Sequence, residues 1–252
     1  MRFKLMNFCI VSAIAVISFV LVSFCQVNKD EAIFVKPKKV LIFSKTNGFR
    51  HGSISVGINA IKKLGEENNF LVDATEDSLA INSKNLKQYQ VIIFLNTTGT
   101  ILGKEGELAL QEFMKKGKGF VGVHSASDCE FDWPWYGKMI GGYFVSHPAQ
   151  QTAKLVVVNK EHIATKHLPA IWERKDEWYN FKDLNPDVNV LLKIDESSYT
   201  GGKNGDNHPM AWYQNYGGGR MFYTALGHTN ESYSDPLFLQ HLLGGITYAM
   251  GE

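Results

Sequence analysis

Four short apolar runs, each handing over to a polar loop, constrain this chain more than any other feature. They are Val40-Leu41-Ile42-Phe43-Ser44, Phe70-Leu71-Val72, Val91-Ile92-Ile93-Phe94-Leu95 and Phe120 to Val123. Runs of this length without alternation read as strands covered on both faces, the habit of a parallel sheet. Between them lie two stretches with helical periodicity. Ser53 to Asn68 places Ile54, Ile58, Ile61 and Leu64 on one face, and Lys104 to Lys116 does the same with Ala109, Leu110, Phe113 and Met114, stopped by Gly117. Strand and helix in this rhythm predict an α/β fold, a doubly wound and mostly parallel sheet with helices on both faces.

The second half is less regular. Ala153 to Asn159 and Val188 to Ile194 read as strands. Met210-Ala211-Trp212-Tyr213 and Met221 to Leu226 flank Gly217-Gly218-Gly219 and predict a β-hairpin. Asp235-Pro236 supplies an N-cap and a proline at the first helical position, so a last, mostly apolar helix runs to about Met250.

The first 25 residues are of a different kind. Arg2 and Lys4 precede an uncharged run from Phe8 to Phe24, the pattern of a secretory signal, with a retained anchor as the alternative. Val22-Ser23-Phe24-Cys25 resembles a bacterial lipoprotein site, although Phe24 is larger than the residue usual before a lipidated cysteine. The reading is therefore a signal over 1–25, a polar tether over 26–38 and one globular domain over 39–252. The protein is expected to be exported, either periplasmic or anchored to a membrane solely through a lipid on Cys25. Of 26 basic and 25 acidic residues, Arg2 and Lys4 would leave with the signal. The near-neutral remainder gives no electrostatic case for nucleic acid. Cys129 is then the one thiol left besides Cys25, and a lone cysteine of this kind is expected to be buried.

Chemistry is expected where strands end, because the residue past a parallel strand's carboxyl end faces the ligand crevice. Gly119-Phe120-Val121-Gly122-Val123 opens there onto His124-Ser125-Ala126-Ser127-Asp128. A strand-to-helix elbow usually presents a nucleophile, yet here His124 occupies the elbow and Ser125 comes one residue late. His124 is thus the candidate general acid/base or ligand, with a Ser125 nucleophile the weakest reading. Gly48-Phe49-Arg50-His51-Gly52-Ser53 lies after the first strand and offers His51, with Arg50 as a substrate contact. Gly227-His228-Thr229-Asn230 follows Met221 to Leu226 and offers His228. Asp176-Glu177-Trp178-Tyr179 places Glu177 beside aromatic residues, with Tyr179 a substrate contact. His147 before Pro148 and His208 before Pro209 sit in extended segments and could reach the same pocket, as could Trp212. Asp132-Trp133-Pro134-Trp135-Tyr136 is an aromatic patch. Trp133 and Trp135 read as a platform for a sugar face or, equally, as a packing cluster at a helix start. His162, His167 and His241 have no such context.

No cofactor is certain. No histidine pair has H-x-H or H-E-x-x-H spacing, so a divalent metal site would have to assemble from separate loops, drawing on His51, His124, His147 and His228 with Glu177.

Taken in order, Gly48-Phe49-Arg50-His51, Gly122-Val123-His124-Ser125, Gly141-Gly142-Tyr143-Phe144 with His147-Pro148, Asp176-Glu177-Trp178-Tyr179, His208-Pro209 with Trp212, and Gly219 through His228 resemble the trehalose-utilisation (ThuA-like) family. The resemblance covers about Lys39 to Gly251. It implies a flavodoxin-like fold of the class I glutamine-amidotransferase superfamily, and a place in sugar metabolism beside oxidoreductases that make 3-keto sugars. Amidotransferases of that superfamily carry cysteine at the elbow; this chain has His124, and Cys129 lies five residues on. Glutaminase chemistry is therefore not expected. The expectation is an enzyme acting on a glycoside or 3-keto sugar by hydrolysis or elimination. His51, His124, His228 and Glu177 would be its catalytic groups. A non-catalytic sugar-binding protein is the alternative.

Overall fold

The computed structural model describes residues 37–252. The signal over 1–25 and the candidate lipid site at Cys25 lie outside the described residues, as does nearly all of the tether; Lys38 already belongs to the first strand. The elements run β1 (Lys38–Phe43), α1 (Ile54–Glu67), β2 (Phe70–Thr75), α2 (Ser83–Leu86), β3 (Val91–Leu95), α3 (Lys104–Lys115) and β4 (Gly119–Val123). The chain continues through α4 (Pro134–Ile140), β5 (Tyr143–Ser146), β6 (Gln151–Val157), β7 (Ile171–Asp176) and β8 (Asn180–Lys182). It ends with β9 (Asn189–Ile194), β10 (Pro209–Tyr216), β11 (Gly219–Thr224) and α5 (Pro236–Met250).

One sheet of nine strands, ordered β2-β1-β3-β4-β11-β10-β9-β6-β7, carries the fold. Its first five strands are parallel and the rest add on antiparallel, while β5 and β8 form a separate pair. The apolar runs behave as their composition dictates: β3 and β4 are buried from end to end. Helix α1 turns Ile54, Ile61 and Leu64 inward, and α3 turns Ala109, Leu110, Phe113 and Met114 inward. Asp235 caps α5 by accepting the N–H of Leu237, as the Asp-Pro pair predicts. The β10–β11 hairpin turns on Gly217 and Gly218, whose φ values of 61° and 98° a side chain would strain.

Strands β5, β7 and β8 and the four-residue α2 escape a reading by periodicity. Strand β7 is Ile-Trp-Glu-Arg-Lys-Asp, too charged to look buried, yet Trp172, Arg174 and Asp176 alternate inward and Arg174 pairs with Asp176 at 3.1 Å. Strands β5 and β8 are too short to show a period. Strand boundaries otherwise shift by one to three residues: β2 runs on to Thr75, β4 starts at Gly119, β6 spans Gln151–Val157, β9 starts at Asn189 and β10 runs on to Tyr216.

The register sets up the crevice. Val123 of β4 pairs with Leu95 on one side and Thr224 on the other, so the loops after β3, β4 and β11 leave the sheet at one level. Strand β7 is four places from β11 in the sheet. It packs Trp172 against His241 of α5, and its last residues return to the same crevice, where Asp176 accepts the N–H of His228.

Candidate functional site

At the end of β4 the chain turns sharply, and His124 takes a φ of +50°. That is a left-handed conformation unusual for a side-chain-bearing residue and typical of strained functional turns. The elbow is packed closely from behind: a Cβ on Gly122 would lie 2.7 Å from Ile140 Cδ1. His124 is fully buried, and its Nδ1–H donates to the carbonyl oxygen of Ala225 at 2.7 Å. That bond fixes the tautomer, so Nε2 presents a lone pair to the crevice.

Three further groups meet that lone pair. His124 Nε2 lies 3.1 Å from His228 Nδ1 and 3.4 Å from Glu177 Oε2, and His228 Nδ1 lies 3.1 Å from the same carboxylate oxygen. His51 completes the group. Its ring centroid is 4.8 Å from that of His124 and 5.1 Å from that of His228, each pair close to perpendicular. One donor atom from each of His51, His124, Glu177 and His228 lies within 4.8 Å of the others. Donors on a tetrahedral ion with bonds of about 2.0–2.1 Å sit about 3.3 Å apart, so the His124, His228 and Glu177 spacings suit a first-row divalent metal.

The electrostatics agree. Burial, then the neighbouring imidazoles of His124 and His228, lower His51 to about 3, so its ring is neutral at physiological pH. Burial alone would raise the Glu177 carboxyl. Hydrogen bonds and the charges of His124 and His228 outweigh it and hold the group ionised, well below the usual carboxylate range. A neutral His51 and an ionised Glu177 are the protonation states that a metal ion requires of such ligands.

The support around these groups is built from residues that sequence reasoning left unassigned. Asp176, fully buried, accepts the N–H of Gly227 at 3.1 Å, of His228 at 3.2 Å and of Glu177 at 3.0 Å, and is paired with Arg174. It therefore ties the end of β7 to the end of β11, fixing two members of the cluster at once. The inward alternation of Trp172, Arg174 and Asp176 is the sequence signal that could have found it. His208 is fully buried elsewhere. Its Nδ1 lies 2.7 Å from Glu196 Oε1 and its Nε2 2.7 Å from the carbonyl oxygen of Tyr179. It holds Tyr179 from behind and does not face the crevice, contrary to its expected place among substrate contacts.

Tyr179 is brought to the site, its ring 4.2 Å from that of His124. Ser125 is too, buried with Oγ 3.4 Å from His51 Nδ1. His147 sits at the rim, half-exposed, with Nδ1 3.2 Å from Glu177 Oε1; it stands outside the four-donor group, and Glu177 takes the fourth place. A cavity of about 430 Å³ opens over His51, Glu177 and His228, with Phe49, Asp128, Phe144 and Gln150 in its wall.

Four expected contacts go elsewhere. Arg50 turns to the surface and forms a two-pronged pair with Glu76 at 2.7 and 3.0 Å. Trp133 and Trp135 stack on each other at 5.0 Å, with Tyr136 continuing the stack and Tyr216 edge-on to Trp135, and neither tryptophan lines the cavity. They pack together at the start of α4, Trp133 buried and Trp135 half-buried, away from the cavity over the four-donor group. Trp212 is fully buried and donates Nε1–H to the carbonyl of Ile140. Cys129 is buried as expected, with burial raising its thiol to about 12. His241 is a packing residue, bonded to Ala164 and Thr224.

A family model described as trehalose utilisation (ThuA) matches residues 39–249. No curated protein matches the chain. Among solved structures, a ThuA-like protein from Bacteroides uniformis is 28% identical with a TM-score of 0.73, over 87% of this chain and 94% of that one. A ThuA-like protein from Parabacteroides merdae is 22% identical with a TM-score of 0.71, over 86% and 91%. A β-galactosidase from Bacillus circulans shares the fold alone, at 14% identity and a TM-score of 0.56, over 86% of this chain and 31% of that one.

Proposed function

The chain belongs to the trehalose-utilisation (ThuA) family, which associates it with carbohydrate metabolism, and from that premise we propose that it is an enzyme acting on a glycoside or 3-keto sugar. The reaction is hydrolysis or elimination, run from a divalent metal centre held by His51, His124, His228 and Glu177. One observation carries this reading: four donor atoms from four separate loops lie within 4.8 Å of one another, three of them imidazole nitrogens. A bound divalent metal would supply a Lewis acid and lower the pKa of a coordinated water from 15.7 to about 7. The chain's own residues do the rest. Ala225 holds the His124 tautomer, Asp176 holds the His228 and Glu177 backbones, and Tyr179 shields the His124 ring from water. His147, at the rim beside Glu177, is placed to move a proton between the cavity and solvent. A 3-keto sugar has an acidified C–H beside its carbonyl, so either reaction proceeds without a covalent nucleophile, in keeping with a histidine at the elbow. Export through the segment 1–25, to a periplasmic or a Cys25-lipidated form, and work alongside sugar oxidoreductases are parts of the same proposal.

Metal analysis of the purified protein beside its His124→Ala variant tests the centre. Near-stoichiometric divalent metal in the wild type, lost in the variant, is the expected result. Wild-type protein that stays metal-free after incubation with zinc, manganese, nickel and iron(II) salts would overturn the metal centre and leave acid/base chemistry by the histidines alone.

A further inference from the structure

The cavity over the centre has a wall that the reading above does not use. Phe49 is 66% exposed at its mouth, edge-on to the His51 ring at 4.9 Å. Phe144 packs 4.2 Å from the ring of Tyr179, which in turn leans on His124. Aromatic surface thus flanks the cluster on both its His51 and His124 sides. Asp128 lines the same space half-buried, and its carboxylate has no hydrogen-bond or ion-pair partner among the described residues. A carboxyl taken partly out of water without a partner is costly, and a ligand donor would offset that cost.

Charge narrows the ligand. No lysine or arginine stands among the lining residues, and Arg50 is engaged by Glu76. Asp128, the cavity carboxylate outside the four-donor group, would repel a phosphate or carboxylate on a substrate placed beside it. Its volume, about 430 Å³, falls at the low end of the range of about 300–1,000 Å³ usual for small-molecule sites.

We infer that this cavity binds one uncharged pyranose ring, with Phe49 and Phe144 against its C–H surfaces and Asp128 accepting from its hydroxyls. This deepens, and rests on, the reading of the site as one for a sugar. Flat rings bury the apolar faces of a pyranose without competing for its hydroxyls, and a carboxylate accepts from hydroxyls more strongly than a neutral group. Burial raises the Asp128 carboxyl to about 6, with His147 opposing that rise. The other titratable groups lining the cavity with Asp128 are His51, His147, Glu177, Tyr179 and His228. Affinity is therefore expected to be weaker at pH 5 than at pH 8.

Titration calorimetry with the methyl glycosides of glucose, galactose and mannose, and with glucose 6-phosphate, tests this, with metal content measured on the same samples. At least one methyl glycoside is expected to saturate the wild type. Phe144→Ala and Asp128→Asn should each weaken that binding about tenfold, with metal content unchanged. Phe49→Ala, at an exposed position, should weaken it without any change in thermal midpoint. Failure of all three glycosides to saturate, unchanged affinity in the three variants, or tighter binding of the phosphorylated sugar would overturn the inference. Sugar binding through these residues in a metal-free protein would sustain the inference and sink the metal centre. A metal-loaded protein that binds none of the glycosides would do the reverse.

Discussion

His124 and Ala225 meet at 2.7 Å across the ends of two neighbouring parallel strands, an imidazole Nδ1–H on a backbone carbonyl. Because the acceptor is main chain, the contact is set by strand register, Val123 opposite Thr224, and not by another side chain's conformation. The Nε2 lone pair of His124 is therefore aimed by the sheet itself.

Asp176 plays the corresponding part for His228 and Glu177. Asp176→Asn should leave the ligands in place and weaken metal binding by about 10–100-fold, the usual effect of losing a partner behind a ligand. Competition against a chelator of known affinity measures this. Affinity equal to wild type would mean that the two loops hold their positions without it.

Acid should destabilise the metal-free protein through His51. Its pKa is about 3 in the fold against 6.5 unperturbed, so between these values the unfolded chain binds a proton that the folded chain does not. Stability then falls as pH falls from about 6.5 to 3. His241, also lowered to about 3, adds a slope of the same sign, and Glu177, lowered by its imidazole neighbours, extends the loss to more acid pH. Thermal midpoints across this window should show a shallower slope in His51→Asn than in wild type, with the His241 share remaining. Parallel slopes would contradict the assignment.

Trp133→Ala should cost about 3–5 kcal/mol in stability, as expected for emptying a buried aromatic site, and leave metal content unchanged. Chemical denaturation and metal analysis on the same samples separate the two effects. Arg50→Ala, by contrast, removes a surface ion pair worth about 0–1 kcal/mol.

Cys129 should resist iodoacetamide at pH 8 in the folded protein and react at once when unfolded, since burial raises its thiol to about 12. Mass spectrometry before and after denaturation reads this. Rapid labelling of the folded form would show an opening of the Ala126–Tyr136 packing that holds the sulfur.

The fold was legible because its parallel half is written in local pattern. Val91–Leu95 can be buried on both faces in few other ways, and Asp235-Pro236 supplies a capping carboxylate and a proline suited to the first helical turn. The candidate site was legible in part for the same reason. His51, His124 and His228 each follow an apolar strand, and the ends of parallel strands share one crevice. Asp176 was missed because an acid in a charged strand looks solvated until its alternation is paired with Arg174.

By itself, then, the sequence determined the strand-and-helix rhythm, the elbow with histidine in the nucleophile's place and the histidines that gather there. Only the tertiary structure decided which side chains join them. The antiparallel half brings the end of β7 back to β11, and with it Glu177. Glu76 draws Arg50 away, and α4 packs Trp133 and Trp135 against each other while Phe49 and Phe144 line the cavity in their stead. Period and composition fix which face of an element is buried. What that face meets depends on strands and loops tens to more than a hundred residues away, whose approach no local pattern encodes.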